Sequence, residues 1–158
     1  NLDPDEVENI KNAAMLHDIG TSVVPDYILY KKEPLTDREW EEIRAHPLIS
    51  SELLSPYASL KKEQTIVRYH HERYDGKGYP DRMHGEQIPL PSRILAVAEA
   101  FEAMISQRSY RMNWLPQDFI IHELKANAGT QFDPRVVQAL LDVLKHSPKL
   151  WMAPVRAQ

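Results

Sequence analysis

The stretch "PSRILAVAEAFEAMIS", Pro91 to Ser106, decides the fold. It is the most apolar run of the chain and reads as a helix opening at Pro91. Two helices follow it, roughly Gln117 to Asn127, ended by Gly129, and Pro134 to Lys145, capped by Asp133. At the start of the chain, Asp3 is an N-cap with Pro4 at the first helical position and Glu6 closing a capping box. Val7, Ile10, Ala14 and His17 then share one stripe, and Gly20 is a stop signal. Pro25 to Leu29 reads as a short turn of helix. Thr36 and Glu39 form a second capping box before a helix carrying Trp40, Ile43 and His46, which Pro47 either restarts or kinks. A further helix is expected over Glu63 to Glu72. Arg73 to Leu90 is rich in glycine and proline and reads as a long loop; loops of that length in compact domains are usually functional or disordered. β-Branched residues nowhere settle into period-two runs. The fold class predicted is all-α, a single compact helical bundle with a tail from Pro148 onward.

A chain of 158 residues that is 42% hydrophobic and 27% charged can bury the core of one domain. Its net charge of -4 offers no basic face for DNA, so a small nucleotide would need local positive groups. With no cysteine, disulfides and thiolate metal sites are excluded, and histidine and carboxylate must carry any metal chemistry. No apolar run reaches the ~18 residues of a membrane span, and no signal peptide is visible. The compartment expected is the cytoplasm. The chain opens Asn-Leu-Asp-Pro with no initiator methionine, which reads as a piece of a longer protein.

The chemistry-bearing residues are scattered. In "LHDIG", His17 and Asp18 close the first helix. Imidazole and carboxylate both suit Fe, Mn or Zn, and a carboxylate can bridge two ions; a helix-end histidine favoured by the macrodipole is the ordinary alternative. His46 shares the stripe of Trp40 and Ile43 and should point inward, either as a ligand or as a hydrogen-bonded core histidine. His70 and His71 lie ~100° apart if helical. Both line one site only if the helix end unwinds or two metal positions lie side by side; otherwise one faces solvent. His84, His122 and His146 have ordinary explanations. Glu99 and Glu102 stand in the apolar helix, where a carboxylate is costly unless paired or metal-bound, and Glu99 is the inward candidate. Arg108 and Arg111 could grip phosphate or simply end a helix. Gly76 and Gly78, before Tyr79 and Pro80, let backbone approach a ligand closely or merely make a surface turn. Together these groups suggest metal-assisted phosphoester hydrolysis.

The order of motifs resembles the HD-GYP domain, a subgroup of the HD phosphohydrolase superfamily. It runs from "HD" at His17 and Asp18, through His46 before Pro47, to "HHERYDGKGYP" and "GEQIPLPSRILAVAEAFEAM", and ends with "RSYR" and "AGTQFDP". The resemblance implies an HD-type helical domain over residues 1–146, lacking its most N-terminal helix or helices, with a tail at 147–158. It implies a bacterial cyclic di-GMP phosphodiesterase with two or three divalent ions: Fe or Mn first, Zn as an option. His17, Asp18, His46, His70, His71 and Glu99 would be the ligands, with Asp18 the bridge. Tyr79, Arg108 and Arg111 would contact substrate phosphates, while Asp75, Gly76, Gly78, Tyr79 and Pro80 shape the signature loop. The expected partners are the cyclic dinucleotide, an upstream receiver or sensor domain of a response regulator, and GGDEF-domain proteins, with no DNA and no membrane segment. Water would attack in line to give pGpG, then GMP. The chain departs from the family pattern at three points. Thr21 replaces the lysine after "HDIG" and takes its place among the catalytic candidates. Glu99 and Glu102 replace aspartates, and no histidine precedes His17. These departures leave two alternatives, hydrolysis of another cyclic dinucleotide such as cyclic GMP-AMP and a degenerate domain that binds without turnover.

Overall fold

The computed structural model describes residues 2–106 and 115–151. Among them are eight α-helices, four short 3-10 turns and no strand, so the expected all-α class holds. Helix α1 (Pro4–Leu16) starts on the predicted capping box: the Asp3 carboxylate accepts from the Glu6 amide at 2.8 Å and Glu6 accepts from the Asp3 amide at 3.1 Å. Its packed face differs from the predicted stripe. Ile10, Ala13 and Leu16 meet the core, whereas Val7 and Ala14 are exposed. The i, i+3, i+6 set wins because it is the row that lies against α5 and α6.

After α2 (Asp26–Leu29), α3 (Asp37–Arg44) opens on the Thr36–Glu39 capping box, as expected. Pro47 restarts the chain rather than kinking it: α4 (His46–Leu54) begins one residue after the Ala45 joint, with Pro47 in its first turn. His46 therefore opens a helix, and it is 4% exposed while Trp40 on α3 is 43% exposed. Helix α5 (Lys61–Arg68) ends four residues short of the expected Glu72. The chain turns at Tyr69, and the Glu72 carboxylate accepts from the Asp81 amide at 2.6 Å and the Met83 amide at 3.0 Å. That tertiary use of Glu72 replaces continuation of the helix.

The apolar helix α6 (Leu90–Ile105) is the spine. Its N-terminal half contributes Leu95 to a cluster with Ala13, Leu54, Ile66 and Val67. Its C-terminal half contributes Val97, Phe101 and Ile105 to a second cluster with α7 (Gln117–Ala126) and α8 (Pro134–His146). Asp133 caps α8 by accepting from the Arg135 amide at 2.8 Å, and its buried carboxylate also takes the Arg93 guanidinium of α6. Pro148–Trp151, expected within a tail, forms a 3-10 turn whose Trp151 ring covers Phe101 edge-on at 5.6 Å. No helix among the described residues is long and apolar enough to cross a membrane.

Candidate metal centre

Three helix ends and the middle of a fourth helix converge on one point. His17 is the residue that closes α1, His46 opens α4, His70 and His71 follow the end of α5, and Glu99 comes from the middle of α6. The ring centroids of His70 lie 5.2 Å from His17, 5.4 Å from His46 and 4.1 Å from His71. His46 and His71 are 4.9 Å apart. Asp18 sends one oxygen to His17 Nε2 and the other to His46 Nε2, each at 3.3 Å. Two overlapping sets of potential ligand atoms result, His46–His70–His71 and His17–Asp18–His70. The unwinding of α5 after Arg68 is what lets both adjacent histidines face the same place. Glu99 stands further off, its Oε2 4.0 Å from His70 Nε2, and lines with His70 and His71 a cavity of about 160 Å³.

The histidines are held in one tautomer. Nδ1 of His17, His46 and His70 lies 2.8, 2.8 and 2.6 Å from the carbonyl oxygens of Ala14, Ile43 and Val67. A carbonyl only accepts, so each Nδ1 carries the proton; in the neutral rings of His46 and His70 the Nε2 then presents a lone pair, while Nε2 of His17 donates to the Asp18 carboxylate until an ion displaces its proton. Nε2 of His46 and Nε2 of His70 then face each other at 3.5 Å with no proton between two neutral rings. Lone pairs brought this close call for a cation, and nitrogen with carboxylate oxygen is the donor set of a divalent transition ion. The residues fit a metal.

The electrostatics agree with that fit. Burial drives His70 down to about 4 and His71 down to about 2, with His70 and His46 adding to the latter, and it also lowers His46. All three are neutral imidazoles near pH 7, the form that can ligate an ion. His17 behaves oppositely: its hydrogen bond to Asp18 raises it to about 9 against burial. That same bond lowers Asp18 to about 2, so its carboxylate is ionised. Burial and the nearby Glu99 push Tyr79 up to about 12, which keeps its hydroxyl protonated.

The remaining sequence candidates divide. Tyr79 stacks on His71 with centroids 5.0 Å apart and is part of the centre. Thr21 spends its hydroxyl proton on the Asp18 carbonyl at 2.7 Å, bracing the turn that carries a candidate ligand. Asp75 pairs with Arg73 at 2.9 Å and accepts from the Lys77 amide at 3.1 Å, which shapes the loop rather than the centre. Gly76 holds φ +75°, and a Cβ on Gly78 would sit 2.3 Å from the Arg73 nitrogen. Gly78 thus permits close approach of the loop to its own chain. The Tyr79–Pro80 peptide is cis. Arg108 and Arg111 lie outside the described residues.

Two supports were not foreseen. Fully buried Ser50 donates to the His17 carbonyl at 2.7 Å and accepts from the Gly20 amide at 2.8 Å. A lone serine carries no sequence signal for this. Glu72 ties down the loop after Tyr79, and its place beside the paired histidines in "HHE" was the available hint.

Comparison with known proteins bears on the same residues. The HD-domain family model matches residues 1–136. The chain is 45% identical over 142 residues to the cyclic di-GMP phosphodiesterase response regulator RpfG of Xanthomonas campestris, covering 89% of this chain and 37% of that protein. It is 40% identical over 141 residues to a cyclic di-GMP phosphodiesterase of Thermotoga maritima (88% and 38%). It is 39% identical over 139 residues to the 3'3'-cGAMP-specific phosphodiesterase 2 of Vibrio cholerae (87% and 26%). The chain thus spans well under half the length of these curated relatives. A crystal structure of the cyclic GMP-AMP phosphodiesterase V-cGAP3 of V. cholerae shares the fold with a TM-score of 0.70 at 19% identity, over 95% of this chain and 41% of that one. Since the matched span takes in every helix end that converges on the centre, the chain belongs to the HD-domain family.

Proposed function

We propose that this domain is a metal-dependent phosphodiesterase of the HD-GYP kind, residues 1–146, that hydrolyses cyclic di-GMP to pGpG, GMP or both in bacterial second-messenger signalling. The observation that carries this reading is the set of Nε2 lone pairs aimed at one point beside a two-oxygen carboxylate. His17, Asp18, His46, His70, His71 and Glu99 would hold two or three divalent ions, of which Fe and Mn suit the donors and Zn fits as well. Such ions supply Lewis acidity toward phosphoryl oxygens and make water acidic enough to attack at neutral pH.

The chain's own side chains do the rest. Asp18, ionised, divides its oxygens between His17 and His46 and so ties the two ligand sets together. Thr21 keeps the Asp18 turn rigid. Tyr79, protonated and lying over His71, donates a hydrogen bond to a phosphoryl oxygen. Arg108 and Arg111, assigned from sequence, neutralise charge that grows on the phosphoryl group as the ribose oxygen leaves. The likeness to a response regulator supports an upstream receiver domain, and GGDEF-domain partners are carried over from the motif resemblance alone.

Cyclic GMP-AMP is a second substrate to compare, because two relatives from V. cholerae carry that specificity in their names. The test is hydrolysis of both cyclic dinucleotides by the longest native chain, purified without oxygen and supplied with Mn²⁺ or Fe²⁺. Product formation lost in Asp18→Ala is the expected result. Folded, metal-loaded protein that yields no product from either substrate would overturn the proposal in favour of binding without turnover.

A further inference from the structure

Arg44 lies one helical turn after Trp40 on α3, with its guanidinium 5.7 Å from the Trp40 ring centroid. An i, i+4 pair of this kind is an ordinary helix-surface contact. The same guanidinium, however, also lies 6.0 Å from the ring of Tyr79, which comes from the loop after α5. Tyr79 in turn stacks on His71 at an interplanar angle of 27°. Trp40, Arg44, Tyr79 and His71 therefore form a continuous column from solvent to the metal centre.

Two features of this column point to a ligand. Trp40 leaves 43% of its surface open, a large aromatic face at the rim of a polar site. Arg44 is exposed and, among the described residues, has no ion pair and no side-chain hydrogen bond, so its guanidinium lies near two rings with its N–H groups available. A planar cation beside an open indole matches the two parts of a nucleotide: a guanidinium grips phosphate in a bidentate manner, and an indole stacks on a base.

We propose that Arg44 and Trp40 form a nucleotide subsite at the mouth of the metal centre. Arg44 takes the phosphate that is not being cut, and Trp40 stacks on a purine. The assignment rests on the reading of the domain as a cyclic dinucleotide phosphodiesterase and adds residues that the sequence motifs do not include.

Tryptophan fluorescence of the metal-loaded full chain, mixed with cyclic di-GMP by stopped flow, tests binding before turnover. The chain has three tryptophans, so Trp40→Phe leaves a signal against which loss of quenching is read. Quenching in the wild type that disappears in Trp40→Phe is expected. Arg44→Gln should weaken the Kd and raise KM by about tenfold or more, with kcat changed by less than about twofold and bound metal unchanged. Arg44→Lys, which keeps the charge but loses the plane, should recover part of the affinity. Unaltered quenching in Trp40→Phe, or unaltered Kd and KM in Arg44→Gln, would overturn the subsite. Hydrolysis with no dependence on Arg44 would leave the proposed function standing without this inference. Arg44-dependent quenching with no product would support the subsite and remove the hydrolytic reading.

Discussion

At the scale of single residues, the centre depends on groups that touch no ligand. Ser50 satisfies the His17 carbonyl and the Gly20 amide at once, in an interior where neither could reach water. Gly20 itself is pressed so close to α4 that a Cβ would sit 2.3 Å from the His46 carbonyl oxygen. The turn carrying His17 and Asp18 is thereby locked onto the helix that begins with His46. Replacing Ser50 by alanine leaves one buried donor and one buried acceptor unpaired. The expected cost is about 1–3 kcal/mol, read as a lower urea midpoint at unchanged m-value. A midpoint equal to wild type would show that these two bonds contribute nothing net.

At the scale of elements, the decisive event is the early end of α5. Had the helix run to Glu72, His70 and His71 would point ~100° apart. Instead the chain turns at Tyr69, and the Glu72 carboxylate serves the amides of Asp81 and Met83. Removing that carboxylate in Glu72→Ala frees the loop that follows Tyr79. Amide exchange at Asp81 and Met83 should accelerate by roughly tenfold or more, the equivalent of one charge-assisted hydrogen bond, while amides within α8 exchange as before. Equal acceleration throughout the molecule would mean that Glu72 supports global stability rather than the loop.

At the scale of the whole molecule, the buried Arg93–Asp133 pair joins α6 to the cap of α8 and so ties the spine to the C-terminal cluster. Burial alone would raise the Asp133 pKa. The Arg135 amide, the Arg135 guanidinium and Arg93 outweigh it and hold the group below its ordinary value. A depressed carboxylate contributes stability that is present above the unfolded pKa and lost as pH falls through the folded one. Asp133→Asn should therefore be less stable than wild type by about 3–5 kcal/mol near neutrality, since it strands Arg93 in the interior. The gap should narrow below about pH 4, where the unfolded carboxylate begins to take up protons. A gap independent of pH would show that shape, not charge, is what the pair provides.

How much of this was legible beforehand follows from the range of the forces involved. Capping boxes at Asp3–Glu6 and Thr36–Glu39, the apolar helix from residue 90 and the Asp133 cap rest on neighbours within a turn, and the amino-acid sequence by itself determined them. The set His17, Asp18, His46, His70, His71 and Glu99 was nominated by the resemblance in motif order, and the fold brings these side chains near one another. Which face of α1 packs, where α5 stops, how Ser50 and Glu72 brace the centre and why Arg44 reaches Tyr79 were decided only by the tertiary structure. Each depends on contacts between segments far apart in the chain, where burial makes an unpaired polar group costly enough to override local preference.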